Sequence, residues 1–112
     1  MSILSGKEIS KQIKKGNILI DPYDPNNEGP NSIDLRLFDD LLIYDTEILD
    51  MRRKNPTKKV HKDEGKGGWL LLPNTLYLGR TVEKIGSKTY VPLIEGRSSV
   101  GRLGIQVHAT AG

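Results

Sequence analysis

Trp69-Leu70-Leu71-Leu72-Pro73-Asn74-Thr75-Leu76-Tyr77-Leu78-Gly79-Arg80-Thr81-Val82 is the stretch that decides the fold class. Two apolar runs flank a Pro-Asn pair, and such a pair turns a chain rather than continuing a helix. We read them as two short strands. Gly65, Gly67 and Gly68 release the chain into the first of them. Downstream, Thr89 to Ile94 and Ile105 to Ala109 read as further strands. Upstream, Ile18-Leu19-Ile20, Leu41 to Tyr44 and Ile48 to Met51 do the same. Ser32-Ile33-Asp34-Leu35-Arg36-Leu37 alternates polar and apolar, the pattern of a half-buried strand. Many short strands at close spacing predict a mainly β fold, a β-barrel or a jelly-roll-like sandwich.

One helix stands apart from them, at the N-terminus. Ser5 and Glu8 fit a capping box, and Ile9 and Ile13 share one helical face. Lys14 and Lys15 suit the negative helix end, and Gly16 suits the left-handed stop. Residues 21–31 hold three prolines and read as turns. Residues 52–68 contain one valine and no other large aliphatic side chain, and we expect a solvated, mobile loop there.

Composition narrows the function. Cysteine is absent, which removes disulfides, thiolate nucleophiles and cysteine zinc sites. No apolar run is long enough for a membrane span, and residues 1–5 lack the apolar region of a signal peptide, so a cytoplasmic location is expected. The net charge of +3 is uneven. Residues 1–51 carry 5 Lys/Arg against 10 Asp/Glu, whereas residues 52–66 carry 7 against 2. That basic stretch has no aromatic for base stacking, so we expect no nucleic-acid partner.

Glu95-Gly96-Arg97-Ser98-Ser99-Val100-Gly101-Arg102-Leu103-Gly104 is the densest chemical candidate. Glycines admit close backbone approach, serine hydroxyls and amides donate to phosphate oxygens, and arginine offers a planar fork. A helical turn starting near Ser98 would aim free amides at an anion. The alternative is a polar turn whose arginines are merely solvated. His108 follows a buried-strand pattern, where a structural histidine is the commoner reading. With His61 as the one other histidine, no His-based metal site is expected. Asp34 reads either as an exposed strand residue or as a carboxylate near magnesium or a sugar hydroxyl.

Three segments together resemble the dCTP deaminase branch of the dUTPase superfamily. Ile3-Leu4-Ser5-Gly6-Lys7-Glu8-Ile9 resembles the start of those enzymes. Asp21-Pro22 through Asn31-Ser32-Ile33-Asp34-Leu35-Arg36-Leu37 resembles their first shared motif. Glu95 to Gly104, continued by Val107-His108-Ala109-Thr110-Ala111-Gly112, resembles their phosphate-binding motif and the segment after it.

The resemblance implies a distorted dUTPase-like β-barrel, assembled as a homotrimer with sites between subunits. It implies zinc-free hydrolysis of dCTP to dUTP and ammonia, with Mg2+ accompanying the triphosphate. Some relatives also cleave dUTP to dUMP and pyrophosphate. Arg97, Ser98 and Ser99 would contact the triphosphate of a dCTP-, dUTP- or dTTP-type nucleotide. Ser98 would also stand near the reacting base, and Arg102 would orient the catalytic machinery. His108, Thr110 and Ala111 would close against the base. In the family, a strand beyond this last segment carries the glutamate that activates water. Residues 1–112 are therefore expected to form one domain, incomplete at its C-terminus and inactive alone, with a C-terminal chain as a possible complement. Glu95 is a candidate substitute that nothing in the sequence places within reach of a water. The alternatives are a non-catalytic nucleotide- or protein-binding relative, and a dUTPase.

Overall fold

The computed structural model describes residues 3–63 and 65–107. The N-terminal expectation holds. Helix α1 covers Gly6–Lys14, the Ser5 hydroxyl accepts the Glu8 amide at 3.1 Å, and Gly16 takes φ +81°. The capping box is only half made, because the Glu8 carboxylate accepts from Gln12 Nε2 at 2.9 Å instead. Buried Gln12 in turn accepts from Asn17 Nδ2 at 2.8 Å, so its amide is satisfied.

Four short strands follow: β1 (Ile18–Asp21), β2 (Leu41–Tyr44), β3 (Thr57–Val60) and β4 (Lys84–Ser87). β1 pairs antiparallel with β4, Ile20 opposite Ile85, and α1 packs on β1. β2 pairs antiparallel with β3, Leu42 opposite Lys59. On its other side, Leu42 exchanges both backbone bonds with Leu78, at 2.9 and 2.8 Å. Phe38 N–H donates to Arg80 O and Val82 N–H to Arg36 O, so residues 36–42 run against 78–82.

The fold is therefore mainly β with a short helix, as the strand pattern predicts. Among the described residues the strands form two two-stranded sheets with isolated bridges besides, and no barrel closes. Burial agrees. Leu41 is the only buried hydrophobic residue among those described, while Leu70, Val91, Leu93 and Leu103 are at least 74% exposed. The radius of gyration is 16.5 Å, against about 13 Å for a closed domain of this size.

Several strand expectations need correction. Residues 52–68 are not a loop throughout. Thr57–Val60 is a strand, and Asp63 bridges Gly68. Charge supplies what apolar side chains do not, since Lys58, Lys59 and Lys62 reach Asp45, Asp40 and Asp39 at 3.9, 2.8 and 2.8 Å. Ile48 to Met51 is no strand. There the Thr46, Asp50 and Asn55 side chains bond the backbone and compete with any ladder. Trp69 to Leu72 and Thr89 to Ile94 carry no ladder either. The strand of that region falls earlier, at Lys84–Ser87, where β1 offers a partner. The Pro73-Asn74 turn forms, with Asn74 at φ 57°. Within the run from Leu76 to Val82, only Leu78 and Thr81 bridge, and from Ser32 to Leu37 only the two end apolar residues, Ile33 and Leu37, do. Residues 105–107 are not in a strand, and Ala109 lies outside the described residues.

Candidate functional site

The Gly-Arg-Ser-Ser segment makes the turn its composition predicts. Helix α2 is a single turn, Ser98–Gly101, with Arg97 as an extended N-cap. The Val100 and Gly101 amides bond back to Arg97 O at 3.1 and 2.9 Å. The amides of Ser98 and Ser99 precede the first intrahelical bond and so have no partner within the helix. Arg102 N–H returns to Ser98 O at 3.0 Å, and Gly104 ends the turn at φ +83°, which favours glycine. A methyl group on Gly96 would lie 3.4 Å from Val107, so the chain leaving the turn comes back beside its start.

Asp34 arrives from elsewhere. Its amide bonds Asn27 O at 2.9 Å, and Gly29 N–H bonds Ser32 O at 2.8 Å, which fixes the turn before it. That turn is held to α1 by Gly6 N–H on Pro30 O at 2.8 Å. Ile33 and Leu35 are half-buried while Asp34 and Arg36 are exposed, so the polar–apolar alternation holds over 33–36 without a continuous ladder and breaks at Leu37, which is exposed. The Asp34 carboxylate then stands 3.9 Å from the Arg97 guanidinium. Side-chain exposures of 49% and 71% leave both groups open to solvent and to a ligand.

The structure thus joins Asp34 to Arg97, with Ser98 and Ser99 adjacent and exposed. Arg102 and Glu95 are exposed too, and neither is paired with Asp34. His108, Thr110 and Ala111 lie outside the described residues. The sequence reading missed Glu83, which is 4% exposed and accepts the Arg36 amide at 2.6 Å. Its one sequence signal is an acid placed directly after an apolar strand pattern.

Other polar clusters lie away from this turn. A cavity of about 300 Å3 is lined by Asp40, Leu42, Leu78, Gly79 and Arg80. There the hydrogen bond from Lys59 holds the Asp40 carboxyl below its usual range, with the Lys59 and Arg80 charges adding to it. Arg52 does the same to Asp50 through side-chain and backbone bonds. Five of the basic residues in 52–66 are paired with aspartates. Among the described residues no three His, Cys, Asp or Glu side chains gather to hold a metal, and no helix is long and apolar enough to cross a membrane.

A family profile described as dCTP deaminase-like matches residues 3–112. The chain belongs to this family. It is 53% identical over 110 residues to a Clostridium beijerinckii protein named "dCTP deaminase, dUMP-forming". Proteins of the same name from Hathewaya histolytica and Cytophaga hutchinsonii are 50% and 49% identical. Each match covers 98% of this chain and 62% of the relative, so the chain spans less than two thirds of their length.

Proposed function

We propose that these residues are the nucleotide-binding part of a dCTP deaminase with the dUTPase-like barrel type. The observation that carries the reading is the exposed turn at 97–99. It sets a guanidinium, two hydroxyls and two amides without an intrahelical partner on one short segment. A triphosphate needs several fixed donors, and charge-assisted bonds of this kind are the strong ones. Arg97, Ser98 and Ser99 bind the phosphates, Ser98 also faces the base, and Arg102 orients the reacting groups. His108, Thr110 and Ala111 close over the base.

The reaction follows as dCTP plus water giving dUTP and ammonia. Relatives named dUMP-forming favour a second step at the same site, dUTP plus water giving dUMP and pyrophosphate. Magnesium enters as the counter-ion of the triphosphate and so belongs to the substrate, and zinc is not used. The water-activating glutamate is supplied by a C-terminal half, so residues 1–112 alone bind nucleotide without turnover. The many exposed aliphatic residues favour assembly, as a homotrimer or with a complementing chain, in the cytoplasm.

The test adds dCTP or dUTP to the chain, alone and mixed with the C-terminal part of the C. beijerinckii relative. Ammonia release from dCTP by the mixture is the expected result. Pyrophosphate from dUTP without ammonia from dCTP would indicate a dUTPase. Nucleotide binding with turnover in neither mixture would favour a non-catalytic relative.

A further inference from the structure

Glu83 is the only charged residue buried among those described, with a side chain 2% exposed. Burying a carboxylate is costly unless it is well bonded. Its partners explain its place. Oε1 and Oε2 accept the Arg36 amide at 2.6 and 3.3 Å, and Arg36 Nε stands 3.6 Å from Oε2. Thr81 Oγ1 donates to Glu83 O at 2.7 Å and fixes the turn that presents the carboxylate.

The ladder at this point is incomplete. With Leu37 opposite Thr81, Arg36 and Val82 should exchange both backbone bonds. Val82 N–H does reach Arg36 O at 2.9 Å, but Arg36 N–H turns to the Glu83 carboxylate. The side chain therefore replaces a ladder bond, two residues from Asp34. On the other side, the Asp34 amide is tied to Asn27 O at 2.9 Å. Asp34 is thus carried between two anchors and is presented to Arg97.

We infer that Glu83 is a positioning residue of the nucleotide site, holding residues 34–36 so that Asp34 fixes the Arg97 guanidinium before ligand arrives. The functional part rests on reading Arg97 as a phosphate ligand. An arginine already held at one place loses less freedom on binding than a free one.

NMR relaxation of the Arg97 Nε–H in ligand-free protein reads the effect directly. Asp34→Ala sets the scale of lost order. Glu83→Ala is expected to loosen Arg97 to a similar extent and to weaken dCTP binding about two- to tenfold. Glu83→Gln keeps an acceptor for the Arg36 amide and should restore most of both. A purely structural Glu83 would lower the melting temperature and leave Arg97 order unchanged in the folded variant, which would overturn the inference. If Glu83→Ala does not fold, Glu83→Asp, one methylene shorter, is read in the same way. Unchanged dCTP affinity in Arg97→Ala would instead remove the phosphate reading, and the Arg97 relaxation data would still decide the placing role of Glu83.

Discussion

Arg97 Nη1 stands 3.9 Å from Asp34 Oδ2, and this pair joins the segment around residue 34 to the turn at 97–101. Both groups are solvent-exposed, so the pair itself adds less than about 1 kcal/mol to folding. Its value lies in where it places the guanidinium. Arg97→Ala is expected to weaken dCTP binding about 10- to 100-fold, since charge-assisted bonds contribute roughly 1.5–3 kcal/mol each. Arg97→Lys should recover part of this, because the ammonium keeps charge but loses the fork. Calorimetry with dCTP and magnesium, beside a thermal melt, separates binding from stability. A folded Arg97→Ala protein with wild-type affinity would show a solvated turn arginine.

Gly6 meets the turn at 28–30 without room for a side chain. A Cβ there would collide with Gly29 O and lie 2.9 Å from Glu28 Cγ. Gly6→Ala should therefore destabilise by about 1–3 kcal/mol, as overpacking against backbone does. Gly101 has open space around it and an ordinary φ, so Gly101→Ala should leave the melting temperature nearly unchanged. Equal melts for the two variants would mean the α1 contact yields.

Leu41 is the one buried aliphatic side chain among the described residues, and Leu41 Cδ2 packs against Gly79. Leu41→Ala is expected to cost about 2–5 kcal/mol. The lower end fits, because the partly exposed neighbour Leu37 can relax into the gap. Chemical denaturation of both proteins gives the difference. A loss below about 0.5 kcal/mol would show that the core lies elsewhere.

The hairpin of β2 and β3 should weaken in acid. Lys59 lowers the Asp40 pKa and Arg52 lowers that of Asp50. A carboxyl with a folded pKa below its unfolded value stabilises fully above the unfolded value, and loses that as pH falls through the folded one. Protection of the Ile43 and Lys58 amides, which face each other across the hairpin, should therefore fall below about pH 4, and Asp40→Asn should flatten the change. Both carboxylates are solvent-exposed, so the effect should shrink in high salt. Salt-independent exchange would point to packing instead.

The sequence alone determined the elements whose causes are local. Ser5 and Gly16 bound α1 because a hydroxyl can cap free amides and a glycine can take positive φ, whatever surrounds them. The turn at Ser98 and the donors upon it were equally legible, because Gly-Arg-Ser-Ser carries its own hydrogen-bond chemistry. Only the tertiary structure decided the pairings. Thr57–Val60 reads as a loop until Asp39, Asp40 and Asp45 lie opposite its lysines. Trp69 to Leu72 reads as a strand, yet finds no ladder partner among the described residues. Nothing in the sequence says which of Asp34 and Glu83 is buried, and only Glu83 is. A strand, an ion pair and a buried carboxylate each need a partner from a distant segment, and hydrophobic patterning does not identify that partner.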